Sequence, residues 1–61
     1  MPVLVVGPGF YGLSAYDQRR YVRTIDYIYG MTASAPNILM IRDWKSGHVV
    51  GALDPQYITF Q

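Results

Sequence analysis

The fold of this chain is decided by residues 38–53, ILMIRDWKSGHVVGAL, which predict two β-strands joined by a tight turn. Gly47 can adopt a positive φ without strain, so a type I turn over the two residues before it closes naturally on this glycine. This three-residue turn places Trp44 opposite His48 and sets the pairing of the two strands.

The predicted pairing divides the side chains of the hairpin between two faces. The first face pairs Arg42 with Val50 and Met40 with Ala52, and it also carries Trp44. The second face is the better core face and carries Leu39, Ile41, Val49 and Leu53. Since the first face is hardly polar either, the hairpin needs cover on both faces. A chain of 61 residues can supply one covering layer, and a second is hard to find.

We therefore predict that the first face packs against another chain, either a second copy or a different protein. Large apolar patches on small proteins usually mark interfaces, and tryptophan is enriched among the interface residues that carry binding energy. Arginine could supply a polar contact beside the apolar side chains. The residues assigned to this partner contact are Met40, Arg42, Trp44 and Val50.

The length fits a single small domain, residues 1–61. A domain of this size buries only about 60% of the surface that its unfolded chain exposes, so it is marginally stable. The chain has no cysteine and one histidine, which excludes disulfides and gives no reason to expect a structural metal site. Association with another chain is the remaining source of stability.

The charge is close to balanced, with five Lys and Arg residues against four Asp and Glu residues. This gives no strong electrostatic attraction to DNA or to an anionic membrane. The sequence shows no signal-peptide pattern and no apolar run of membrane-spanning length. We expect a protein of the cytoplasm, or of a particle assembled there, with no membrane contact.

A helix is predicted after Ser14, although a strand is the alternative. Ser14 can cap a backbone N–H, and Asp17 can reach back to it. Apolar side chains then recur at helical spacing, and Gly30 suits a left-handed C-cap. Because Tyr, Val, Thr and Ile also favour extended backbone, residues 21–29 could instead form a strand. We predict a helix from residue 15 to about residue 27.

Short strands are predicted near both ends of the chain, at residues 3–6 and 57–60. A glycine-rich turn follows the first, a loop covers residues 31–37, and Asp54 and Pro55 form a turn before the last strand. The predicted fold class is therefore α+β: a short N-terminal strand, one helix and a C-terminal antiparallel meander of three strands.

The C-terminal half also resembles the end of SH3-like barrels, in which a tryptophan-bearing hairpin is followed by a glycine, two apolar residues and a turn. The residues that carry this resemblance are Trp44, Gly51, Leu53, Tyr57 and Ile58. It implies barrel-like β packing. The alternative fold is thus a small all-β SH3-like barrel in which residues 21–29 form a strand.

Residues 5–12, VVGPGFYG, match the pattern G-x-G-x-x-G after a strand and resemble the opening of dinucleotide-binding Rossmann proteins. The resemblance implies a tight turn at Gly7, a pyrophosphate approaching Gly9, and close helix packing at Gly12. The chain is too short for the sheet that holds such a cofactor. The capping signal at Ser14 also lies beyond the point where that helix should begin. We expect a glycine-rich turn and no cofactor.

A second class of function is suggested by a cluster of aromatic and basic residues. On a helix, Arg19 and Arg23 share one face, which could bind phosphate while a nearby tyrosine stacks on a base. The residues assigned to this nucleic-acid contact are Tyr16, Arg19, Arg20 and Arg23. Asp17 and Asp26 partly neutralise the cluster.

No catalytic residues are assigned, because the single histidine, His48, suits a surface position beside the turn and Ser46 suits a position in the turn itself. We expect a non-enzymatic structural or adaptor subunit that acts through protein–protein contacts in a homo-oligomer or a larger assembly. The alternative is a small nucleic-acid-binding module that uses the surface of Arg19, Arg20 and Arg23.

Overall fold

The computed structural model describes residues 2–60. Its elements are β1 (Val3–Val6), α1 (Pro8–Tyr11), α2 (Ala15–Tyr29), β2 (Leu39–Asp43), β3 (Val49–Leu53) and β4 (Ile58–Phe60). The strands form one sheet in the order β1-β2-β3-β4, in which β1 and β2 are parallel and the other neighbours are antiparallel. The predicted α+β class and C-terminal meander are confirmed. The barrel alternative is wrong because residues 21–29 are helical.

The ends of α2 lie where the local capping signals place them. The Ser14 Oγ accepts a hydrogen bond from the backbone N–H of Asp17 at 3.1 Å. At the other end Gly30 is left-handed, with φ 61°, and its N–H donates to the carbonyl oxygen of Asp26. The helix is two residues longer than predicted and ends at Tyr29, directly before this glycine.

The single turn α1 has no counterpart in the sequence prediction, which gave only a glycine-rich turn there. Pro8 occupies its first turn, where a missing N–H costs nothing. A four-residue helix is too short to show apolar periodicity, so only this proline could have indicated it. The turn directs the ring of Phe10 into the core and brings the Tyr11 hydroxyl to the end of β2.

The core lies between α2 and one face of the sheet. Its buried side chains are Val6, Phe10, Val22, Leu39, Ile41 and Leu53. Both helices contribute to it, Phe10 from α1 and Val22 from α2, so both lie on the same side of the sheet. Leu39, Ile41 and Leu53 confirm the predicted core face of the hairpin, whereas Val49, predicted on the same face, pairs with Arg42 and lies on the opposite face.

The turn of the hairpin is one residue longer than predicted. Gly47 has the expected positive φ, 74°, but its N–H donates to the carbonyl oxygen of Asp43 at 3.0 Å. The N–H of Asp43 donates in turn to the carbonyl oxygen of His48 at 2.9 Å. His48 is therefore paired with Asp43 instead of Trp44, and four residues form the loop.

A β-bulge restores the predicted register after this longer turn. Arg42 pairs with Val49, whereas Ile41 pairs with Gly51, which leaves Val50 as the extra residue. Val50 packs against the core, and Val49 takes its place beside Arg42. The predicted pairing of Arg42 with Val50 is therefore wrong. The pairs farther from the turn are confirmed: Leu39–Leu53, Met40–Ala52 and Ile41–Gly51.

The second face of the sheet, here called the open face, has neither helix over it. Since side chains alternate along a strand, the register assigns to it Val3, Val5, Met40, Arg42, Val49, Ala52 and Thr59. Val5 is 58% exposed, and Val3 is exposed as well. Parallel strand pairs are normally covered on both faces. Within residues 2–60, the β1–β2 pair is covered on only one face.

Candidate functional site

The open face is an apolar surface that carries one charged residue, Arg42. The Arg42 Nη1 donates to the carbonyl oxygen of Gly47 at 2.9 Å, which orients this side chain toward the hairpin turn. The remaining side chains of the face are Val3, Val5, Met40, Val49, Ala52 and Thr59, with no acidic group among them. The open face thus combines an apolar surface with a single guanidinium at the end nearest the hairpin turn.

Trp44 lies at the end of this face on a fixed backbone. Its N–H donates to the carbonyl oxygen of Val6 at 3.0 Å, which continues the β1–β2 pairing past the end of β2. From the alternation of side chains along a strand, we infer that the Trp44 ring is on the side of Arg42. The residue is 53% exposed.

Of the four residues predicted to contact a partner, Met40 and Arg42 belong to the open face and Trp44 follows directly after the end of β2. Val50 is displaced to the core side by the bulge. Sequence reasoning missed Val3 and Val5, which the parallel register sets beside Met40 and Arg42. No local signal could have shown that β1 pairs with β2, because the two strands are more than thirty residues apart in the sequence.

The residues predicted to contact nucleic acid also come together, on the exposed side of α2. A groove of about 290 Å³ is lined by Tyr16, Arg19, Arg20 and Arg23, and we call it the basic groove. The Arg19 guanidinium lies 5.9 Å from the ring centroid of Phe60, a cation–π contact with β4. The pKa of Asp54 is lowered by the backbone N–H groups of Tyr57 and Gln56, with a smaller contribution from Arg23. Of the three arginines in the basic groove, Arg19 thus has an aromatic partner within the chain.

The glycine motif lies at the carboxyl end of β1, beside the carboxyl end of β2. Residues of this motif also line a cavity of about 300 Å³, whose full lining is Val6, Gly7, Gly9, Phe10, Leu13 and Tyr21. A Cβ at Gly7 or Gly9 would meet no atom within 4 Å, and neither has a positive φ. Since α2 begins only at Ala15, its N-terminus is separated from this motif by α1.

Asp43 forms the most connected polar contact of the structure. Its Oδ1 accepts the hydroxyl hydrogen bond of Tyr11, and its Oδ2 accepts the backbone N–H groups of Lys45 and Ser46 at 3.1 and 2.8 Å. The Tyr11 hydroxyl and then the N–H of Ser46 lower the pKa of Asp43 to about 2. The same contact raises the pKa of Tyr11. The Asp43 carboxylate therefore links Tyr11 of α1 to the hairpin turn through hydrogen bonds. Sequence reasoning missed this role.

This contact should make the stability of the chain depend on pH at both extremes. The folded pKa of Asp43 lies below its ordinary 3.8, so its contribution is complete above that value and is lost as pH falls toward 2. The folded pKa of Tyr11 lies above its ordinary 10, so its contribution is complete below pH 10 and is lost at higher pH. We expect Tyr11→Phe to flatten both ends of the profile.

The measurement is the urea midpoint of wild type and variant at each pH, followed by circular dichroism. Tyr27→Phe is the matched control, because Tyr27 is 89% exposed. A Tyr11→Phe profile that parallels that of wild type throughout would show that the contact does not contribute.

Within residues 2–60, no three histidine, aspartate or glutamate side chains are grouped so that they could hold a metal ion. No helix of the same described segment has the length and apolar character needed to cross a membrane. Comparison with known protein families, with curated proteins and with solved structures finds no match.

Proposed function

We propose that this chain is a non-enzymatic structural or adaptor subunit, which acts by docking the open face of its sheet on another protein chain. The observation that carries the proposal is a sheet that is apolar on both faces, with both helices on one of them. An uncovered apolar face of this kind usually marks an interface.

The energetics favour the same function. Fully burying a large apolar side chain contributes about 1.5–3 kcal/mol, so covering the exposed halves of Val3, Val5 and Trp44 would contribute roughly 1 kcal/mol each. Small domains are stable by only about 5–15 kcal/mol, and this one, at 61 residues, belongs at the lower end. Docking of the open face would therefore add a substantial part of the total stability.

The titratable groups support a non-enzymatic role. Both carboxylate oxygens of Asp43 accept hydrogen bonds from groups that shape the fold. His48 is exposed at the hairpin turn, where its backbone N–H donates to the hydroxyl of Ser46. General acid–base catalysis requires a positioned acid or base in reach of a reacting group, and these residues instead close a turn.

The proposal predicts that open-face variants lose association and keep their fold. We expect Trp44→Ala and Met40→Lys to weaken binding at least about tenfold, because a few aromatic and apolar side chains carry most of the energy of an interface. Sedimentation over a range of concentrations would follow self-association, and capture by immobilised wild-type and variant chains would follow other partners. Circular dichroism would establish that the variants are folded.

Tyr27→Ala is the control for these variants, since Tyr27 is highly exposed and lies on α2, on the other side of the sheet. The proposal fails if the open-face variants associate as strongly as wild type with every partner that wild type binds.

A second candidate function, nucleic-acid binding, is favoured by one observation: Tyr16, Arg19, Arg20 and Arg23 line a single groove. Salt dependence separates the two functions. Apolar docking should persist or strengthen at high salt, whereas binding through phosphates weakens with a slope of about 0.9 per contact on duplex DNA. Arg20→Glu, which leaves the contact of Arg19 with Phe60 and the charge of Arg23 near Asp54 unchanged, should reduce that slope if the groove binds nucleic acid.

A further inference from the structure

We propose that two copies of this chain pair antiparallel along the free edge of β1, so that their sheets join into one continuous sheet. This inference rests on the proposed function, because it names one partner for a chain that acts through protein contacts. It uses a different surface, however: the edge of the sheet and the neighbouring side of α2 instead of the open face.

The backbone of β1 shows which of its groups are free. The N–H of Met40 donates to the carbonyl oxygen of Pro2 at 3.1 Å, and that of Trp44 donates to Val6 at 3.0 Å. In a strand, successive residues direct their backbone groups to opposite sides. Residues 2, 4 and 6 therefore face β2, and the N–H and C=O groups of Val3 and Val5 face the edge. No strand of residues 2–60 lies beside that edge.

The free N–H and C=O groups of Val3 and Val5 can form hydrogen bonds with the same groups of a second copy. In an antiparallel pair with a two-fold axis at Leu4, Val3 of each copy lies opposite Val5 of the other. Residues opposed in this way exchange both of their N–H···O bonds, so the pairing satisfies every outward group of Val3 and Val5. The contact is isologous and closes as a dimer. The symmetry keeps both α2 helices on the same face of the joined sheet.

The side of α2 next to β1 is suited to meet its copy. Tyr21 lines the cavity beside Val6, which places it on this side of the helix. Ile25 and Ile28 follow it at four and seven residues, the spacing that keeps side chains on one side. Ile28 is 63% exposed. We call the side formed by Tyr21, Ile25 and Ile28 the β1 flank. Asp17, one turn before Tyr21, is a charged residue at the N-terminal end of this flank.

Arg19 lies on the opposite flank of α2, toward β4, where its guanidinium is 5.9 Å from the ring centroid of Phe60. Neither Val3–Val6 nor Ile58–Phe60 contains a charge, a bulge or a proline. The two edges differ in the side of α2 next to them, because a copy that paired with β4 would meet the Arg19 guanidinium, whereas a copy that paired with β1 would meet the apolar side chains of the β1 flank. This asymmetry selects the β1 edge for a second copy.

The size of the chain fits a contact that includes both the strand and the flank. A stable interface buries about 800 Å² on each partner, which is about a fifth of the 4194 Å² surface of this chain. A strand of four residues cannot supply this area alone. The contact must therefore include the β1 flank, which lies on the same face of the joined sheet in both copies.

Cysteine pairs test the register directly, because the chain has no cysteine of its own. Residues opposed in a hydrogen-bonded antiparallel pair have Cα atoms about 5.5 Å apart, within disulfide range. Mixing Val3→Cys chains with Val5→Cys chains should give mainly the mixed disulfide dimer under mild oxidation. Each variant alone should cross-link weakly. Equal cross-linking in all three samples would overturn the inference.

Association of non-cysteine variants gives the second measurement, by sedimentation equilibrium. Ile28→Asp should weaken the dimer at least about tenfold, since it buries a charge in the contact between flanks. Tyr27→Asp, one residue earlier and 89% exposed, should leave it unchanged. Val5→Pro should also weaken it, and because the N–H of Val5 faces the edge, the substitution removes no hydrogen bond within the chain.

The outcomes separate this inference from the proposed function. If Met40→Lys dissociates the dimer while Ile28→Asp does not, the copies meet through the open face; the edge inference is then wrong and the proposed function stands. A wild type that is monomeric at every concentration also overturns the edge inference and leaves open-face docking to its own test. If Val5→Pro fails to fold, the Ile28→Asp and Tyr27→Asp pair decides.

Discussion

Replacing Gly51 with alanine should destabilise this chain by about 3 kcal/mol or more and leave a large unfolded fraction. A Cβ at this position would lie 2.7 Å from the backbone oxygen of Thr59 and 2.9 Å from the ring of Phe60. Both atoms belong to β4, which is paired with Gly51 through Phe60. Relief of the clash would require β4 to move away from β3. Overpacking of a core costs about 1–3 kcal/mol even where side chains can adjust, and here the closest atom is backbone.

Urea denaturation followed by circular dichroism measures the effect of Gly51→Ala. Gly9→Ala is the matched control, because a Cβ there meets nothing within 4 Å and the residue lies in the turn of α1. It should be neutral or stabilise the chain by about 0.5–1 kcal/mol. Equal stability of the two variants would contradict the packing of β4 on β3.

Leu39→Ala should cost about 2–5 kcal/mol, the usual range for a large aliphatic side chain removed from a core. Leu39 is fully buried and pairs with Leu53 across the hairpin, directly beneath the helical layer. Because neither strand can move closer without losing its pairing, much of the cavity would remain. A chain with so small a core has little stability to lose.

Ile28→Ala is the control for Leu39→Ala, since it removes a similar volume from a largely exposed position. Measured on dilute, monomeric protein, it should change the free energy of unfolding by no more than about 0.5 kcal/mol. If the two variants lose the same stability, the assignment of the core to the sheet face under α2 is wrong.

The features that could be predicted from the sequence depend on neighbours in the chain. Ser14 and Gly30 act on backbone groups within four residues of them, so the ends of α2 were accessible to local reasoning. The core face of the hairpin followed from alternation over Leu39 and Ile41. The same alternation placed Met40 and Arg42 together on the face that the structure leaves open.

The features that could not be predicted depend on side-chain contacts within the turn and on pairing between strands that are distant in the sequence. The carboxylate of Asp43 accepts two backbone N–H groups of the loop, which favours a four-residue turn over the three-residue one. The bulge at Val50 compensates for that extra residue and carries Val50 away from the predicted contact surface. The position of β1 depends on a pairing between distant residues, and its valines were therefore absent from the predicted surface.

The parallel pairing of β1 with β2 has a kinetic consequence. Strands β2, β3 and β4 are joined by short loops, so their pairing requires little loop-closure entropy and can form early. The strand β1 must close a loop that contains all of α2 before it gains any hydrogen bond from the sheet, which makes it the slowest element to join. Until it does, the β1 side of β2 is itself an unpaired edge. The rate at which β1 docks therefore sets how long a newly made chain exposes a second strand to its neighbours.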